Sequence, residues 1–128
     1  MPLEIKINQE GLAQNPPAIT VSLSGSLDTA TAPELERQLP TVLASPAKQV
    51  VFDLAQLKFI SSAGLRVFSS VRKQLKERDG QAAFVNLQPQ IKEVFEIIRS
   101  LPGIAVFASL AELDAYLAAR QKTYQDKA

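Results

Sequence analysis

Short apolar stretches and apolar stripes at helical spacing alternate along this chain. Leu3-Glu4-Ile5-Lys6-Ile7 alternates apolar and polar residues, the period of a half-buried edge strand. Gly11 to Pro17 interrupts the pattern with Gly, Asn and two Pro and reads as a loop. Ile19-Thr20-Val21-Ser22-Leu23 alternates again, a second strand expected to pair with the first as a hairpin. Thr31 or Asp28 is placed to cap a first helix, and Pro33 falls in its first turn, where a missing N–H costs nothing. Leu35, Leu39, Val42 and Leu43 form the apolar stripe of that helix. Pro40 inside the stripe predicts a kink or an early end.

Val50-Val51-Phe52-Asp53-Leu54 is a short apolar run, the mark of a strand buried on both faces. Ser61 or Ser62 then caps a long helix reaching about Asp79, with Leu65, Phe68, Val71 and Leu75 inward and Arg66, Arg72, Lys73, Lys76 and Arg78 outward. Gly80 stands where a helix terminator is expected. Ala82 to Val85 is a further strand. Pro89 opens a third helix with Ile91, Val94, Phe95 and Ile98 on one side, stopped by Pro102-Gly103. Ile104 to Phe107 is a last strand, and Ser109 with Glu112 forms a capping box for a final helix that buries Leu110, Leu113 and Leu117. From Gln121 the sequence is polar and expected to fray. The order β-β-α-β-α-β-α-β-α predicts an α/β fold with a mixed, mainly parallel sheet of about five strands, the first antiparallel, and four helices. One domain over 1–120 and a polar tail over 121–128 account for the whole chain.

Composition narrows the chemistry. A chain of 128 residues supports one core. With 14 basic against 13 acidic residues, it offers no electrostatic reason to bind nucleic acid or an anionic membrane. The absence of Cys excludes disulfides, thiol chemistry and zinc–thiolate sites. The absence of His removes the commonest neutral-pH base and any Ser-His-Asp triad. No cationic-then-apolar leader opens the sequence, and no apolar run approaches the roughly 20 residues of a membrane span. A cytoplasmic protein without membrane insertion is expected.

In an open α/β sheet, function gathers beyond the carboxyl ends of the strands. Two segments fall there, Gly25 to Thr31 and Phe59 to Leu65. The Ser61-Ser62 pair lies at a helix N-terminus, where unpaired N–H groups and the helix dipole favour an anion. A phosphate there would be stabilised locally and would bring about −2 charge to the surface, the chemistry of a switch. Plainer roles are open to each residue: Ser61-Ser62 as a simple cap, Gly64 as a packing site, Asp28 as a cap, Asp53 as a loop brace, and the basic face of the long helix as a solvated face.

At these two segments the chain resembles the STAS domains of anti-sigma factor antagonists. The matching residues are Gly25-x-Leu27-Asp28-x-x-Thr31-Ala32-x-x-Leu35 and Asp53 followed by Phe59-Ile60-Ser61-Ser62-Ala63-Gly64-Leu65. The resemblance runs from about Leu3 to Leu117. It implies a docking protein rather than an enzyme, switched by partner exchange. In that family the unphosphorylated antagonist binds an anti-sigma factor that is also a serine kinase, phosphorylation breaks the complex, and a phosphatase resets it. The family pattern Asp-Ser-Ser-Gly-Leu, modified on its first Ser, puts the acceptor at Ser62, with Ser61 as the alternative. Ser61 stands where the family has Asp, and Ala63 where it has a second Ser. Asp28, Thr29, Thr31, Ser61, Ser62 and Gly64 are then expected on the docking surface, Gly64 by keeping bulk away from the partner. The resemblance implies no cofactor and no metal in this chain, and a monomer or weak dimer. It equally allows an accessory subunit bound to the ATPase of a membrane lipid transporter. A response-regulator receiver with Asp53 as acceptor is disfavoured, because Asn8-Gln9-Glu10 lacks an acidic pair and Ile104 to Ala108 lacks Lys. A divalent-ion enzyme using Asp28 and Asp53 has no phosphate-cradling glycine loop to support it.

Overall fold

The structure, a computed structural model, describes residues 2–100 and 109–127. The chain forms β1 (Leu3–Asn8), a short 3-10 turn (Glu10–Ala13), β2 (Ala18–Leu27), α1 (Ala32–Ala44), β3 (Gln49–Ile60), α2 (Ser62–Lys76), β4 (Gln81–Val85), α3 (Pro89–Ser100) and α4 (Leu110–Lys127). The sheet runs β1-β2-β3-β4; β1 pairs antiparallel with β2, and the other pairings are parallel. Among the described residues it has four strands. The expected fifth, Ile104 to Phe107, and the stop at Pro102-Gly103 lie outside the described residues.

β2 and β3 are both longer than their alternation suggests. They continue side by side to Leu27 and Ile60, through register shifts between Ser22 and Ser24 and between Gly25 and Ser26. These irregularities break the two-residue period, so the sequence reads as loop where the backbone remains strand. Gly25 marks the point where β1 begins against β2. Its φ is +100°, and a Cβ there would lie 2.1 Å from the Pro2 carbonyl oxygen.

Ile19, Val21 and Leu23 of β2 and Val50, Phe52 and Leu54 of β3 are buried, while Thr20, Ser22, Val51 and Asp53 are half-buried. β3 is therefore sealed on one face, not two. Phe52, Phe68, Phe84 and Phe95 bind β3, α2, β4 and α3 into one aromatic cluster, with Phe52–Phe68 and Phe68–Phe84 ring centroids both 4.9 Å apart. Ile98, expected in the inner stripe of α3, is exposed and lines an open groove between α2 and α3 with Leu65, Phe84 and Phe95.

α1 runs on to Ala44 rather than stopping at Pro40. Pro40 is exposed, as is Glu36, whose carbonyl loses its helical donor, so water can serve that group. α2 ends at Lys76, and the left-handed residue after it is Asp79, at φ +59°, not Gly80. Gly80 is needed for another reason: a Cβ would lie 2.5 Å from the Lys48 carbonyl oxygen. Arg78 leaves the expected solvated face, and its guanidinium donates to the carbonyls of Leu43 and Ala47, the latter at 2.8 Å. α4 does not fray at Gln121; it continues to Lys127, and Gln121 is fully buried. Among the described residues no helix is long and apolar enough to cross a membrane.

Candidate functional site at the start of helix α2

The two segments singled out by the sequence meet where β2 and β3 end together. Leu27 is in register with Ile60, and the Ser61 N–H donates to the Leu27 carbonyl at 2.9 Å. The chain then turns from extended backbone at Ser61 into α2. Gly64 permits this turn to pack closely, since a Cβ would lie 2.7 Å from Leu27 Cγ and 2.9 Å from Ile60 Cγ1. Gly64 is buried, and its missing Cβ leaves the space that Leu27 and Ile60 fill.

The cap of α2 comes from a distant helix. Asp114 on α4 accepts the Ser62 N–H on Oδ1 at 2.7 Å and the Ser62 hydroxyl on Oδ2 at 2.8 Å. A carboxylate here satisfies an orphan donor and meets the positive end of the helix dipole. Ser61 occupies the cap position, but its side chain makes no cap bond; its hydroxyl is buried and finds no partner among the described residues. Neither serine hydroxyl is therefore the cap, and both residues are only 5% exposed. The sequence hint was slight: Asp114 adjoins Leu113 on the inner stripe of α4.

Gln121, seven positions further along α4, holds the preceding residue. Its side chain accepts the Ile60 N–H at 2.8 Å and donates to the Ile60 carbonyl at 2.7 Å. Gln88 and Gln90 treat the same strand similarly, donating to the carbonyls of Ala55 at 2.6 Å and Lys58 at 3.3 Å. β4 stops pairing at Asp53↔Val85, so these amides cover the stretch of β3 that has outrun its neighbour.

The other expected site residues divide by exposure. Thr29 is exposed and Asp28 half-buried, whereas Thr31 joins Ser61, Ser62 and Gly64 in being buried. Asp28 Oδ1 accepts the N–H groups of Ala30 and Thr31, both at 3.0 Å, and the Thr31 hydroxyl donates back to the Ser26 carbonyl at 2.7 Å. Asp28 thus caps the approach to α1. Asp53 lies mid-strand, where its carboxylate accepts from the Ala55 N–H and the Asn86 side chain, a brace for the turn after β4. Asp28 follows the other end of the parallel pair, so the two aspartates do not form one site. Among the described residues no three or more acidic side chains gather as a metal cluster would require.

Comparison with known proteins places this arrangement in context. The STAS domain family model matches residues 11–113. A candidate anti-sigma factor antagonist of Bordetella bronchiseptica, BtrV, is 43% identical over 75 residues, which cover 59% of this chain. The match spans 65% of that relative, just under two thirds of its length. The anti-sigma-B factor antagonist of Staphylococcus aureus is 29% identical over 77 residues, 60% of this chain and 71% of that protein. In three dimensions the chain is similar to the anti-sigma factor antagonist SpoIIAA in its unphosphorylated form, with a TM-score of 0.63 at 16% identity, covering 73% of this chain and 79% of that one. That likeness bears on the fold.

Proposed function

Since this chain belongs to the STAS domain family, we propose that it is an anti-sigma factor antagonist, docking to an anti-sigma factor with serine-kinase activity and released by phosphorylation of Ser62. The names of its relatives support the antagonist role. The observation that carries the switch is Ser62 Oγ at the first turn of α2, in hydrogen-bond contact with a carboxylate and beside the orphan N–H groups of the helix.

The chemistry belongs to the partner. The kinase supplies a nucleoside triphosphate; a bond forms between Ser62 Oγ and the γ-phosphorus, and the bond to the β-phosphate oxygen breaks. The nucleoside diphosphate leaves, and the hydroxyl proton passes to a base of the kinase. A phosphatase hydrolyses the same ester. The product carries about −1.5 to −2 charge at neutral pH, enough to repel a partner docked around the start of α2. On the docking surface Thr29 and Asp28 reach the partner, while Thr31, Ser61 and Gly64 shape that surface from beneath.

Intact-mass measurement after incubation with candidate anti-sigma kinases and ATP tests this reading. A single added phosphoryl group mapped to Ser62 is expected; no mass gain with any kinase that binds the chain would defeat the switch.

A further inference from the structure

We infer that α4 is a lid over the Ser62 hydroxyl, so that phosphorylation of Ser62 and docking of α4 exclude one another. This rests on Ser62 being the acceptor. In the closed arrangement Ser62 is 5% exposed and its hydroxyl is spent on Asp114, leaving a kinase no approach to the oxygen.

Two of the holds on α4 fall on one short segment beside the acceptor, and Arg120 adds an ion pair to Glu93 on α3. Asp114 grips the N–H and hydroxyl of Ser62, and Gln121 grips both backbone groups of Ile60. Among the described residues the apolar side chains that α4 buries are Leu113 and Leu117. α2, by contrast, buries Val67, Phe68, Val71 and Leu75. Of the two helices meeting at the acceptor, α4 takes fewer residues out of the core when it opens, Leu113 and Leu117 against four large apolar side chains of α2.

A phosphoryl group on Ser62 Oγ would sit where Asp114 Oδ2 now lies, 2.8 Å away. Two anions that close repel strongly in this half-buried setting, and withdrawal of the carboxylate with the helix that carries it relieves the repulsion. The site left behind suits the newcomer. The Ser62 N–H is freed, and the Ser61 hydroxyl, buried and unpartnered among the described residues, gains an acceptor. Phosphate thus replaces Asp114 as the cap of α2, and an undocked α4 marks the modified state.

The chain has no Cys, so Ser62→Cys introduces a single thiol that reports on the lid without any kinase. Iodoacetamide labelling is compared with Ser70→Cys, an exposed position on the same helix. Ser62→Cys should label at least about tenfold more slowly, even though a helix N-terminus favours the reactive thiolate. Adding Gln121→Ala, which leaves the charges around position 62 untouched, should speed labelling about fivefold or more by weakening α4. A Ser62→Cys thiol as fast as the Ser70→Cys thiol, or one indifferent to Gln121→Ala, overturns the lid. In hydrogen exchange, Ser62→Asp should loosen residues 113–121 about tenfold relative to Ser62→Ala, and Asp114→Lys in the same chain should restore protection. Equal protection in Ser62→Asp and Ser62→Ala also overturns it. Neither measurement uses phosphate transfer, so a lid confirmed here alongside absent kinase modification would remove the acceptor reading alone.

Discussion

The side chain of Gln121 stands in for a neighbouring strand at Ile60, accepting its N–H at 2.8 Å and donating to its carbonyl at 2.7 Å. An amide sets a donor beside an acceptor, the pair a strand presents to its neighbour, and the second N–H of Gln121 goes to the Leu117 carbonyl at 3.1 Å. Leu is close to Gln in size but offers neither. Gln121→Leu would leave two buried backbone groups unpaired, each costing about 1–3 kcal/mol. A loss of about 2–4 kcal/mol in urea unfolding is expected; a loss below about 0.5 kcal/mol would show that water replaces the amide.

Ser62→Asp should weaken binding to the cognate anti-sigma kinase at least tenfold, about 1.4 kcal/mol. Ser62→Ala should bind within about threefold of the wild type yet take up no phosphate. Titration calorimetry of both variants provides the check, and equal affinity for Ser62→Asp and wild type counts against repulsion at this position.

Ser61→Ala should raise stability by about 1 kcal/mol, because it removes a buried hydroxyl that has no partner in the closed form. Phosphate uptake by this variant should persist, which separates Ser61 from Ser62 as acceptor. Uptake abolished in Ser61→Ala but retained in Ser62→Ala would reverse the assignment.

Gly64→Ala sets two effects against each other. Alanine gains about 1 kcal/mol in helix propensity. Its methyl group, however, would press on Leu27 and Ile60 at 2.7 and 2.9 Å, an overpacking that typically costs about 1–3 kcal/mol. A net fall in melting temperature is expected, with partner affinity nearly unchanged when both proteins are folded. A variant that keeps its stability but loses the partner would place Gly64 on the docking surface after all.

The elements legible from sequence are those whose apolar period is unbroken. β1, the first half of β2, the core of α2 and the inner residues Leu113 and Leu117 all follow from spacing. The outer halves of β2 and β3 do not, because their bulges shift the alternation at Ser22 to Ser26. Asp114 and Gln121 were hidden for a different reason. Each is polar on a helix, which by local rules predicts solvent, and each finds its partner 52 and 61 residues earlier in the chain. No local pattern encodes such pairings. The placement of Ser61-Ser62 after β3 and at the start of α2 follows from the sequence, but its burial depends on α4 and could not be read from its own neighbours.

Arg78 gives the two ends of α2 different attachments. Extending from the end of α2, it ties down the end of α1 and the turn into β3 through the carbonyls of Leu43 and Ala47. These ties lie at the opposite end of α2 from Ser62. A protein that touches that end alone would recognise the chain in either chemical form. On the proposed switch, reading which form is present would require reaching the other end of α2, where α4 meets the helix start, so recognition of the chain and of its state would fall on separate surfaces.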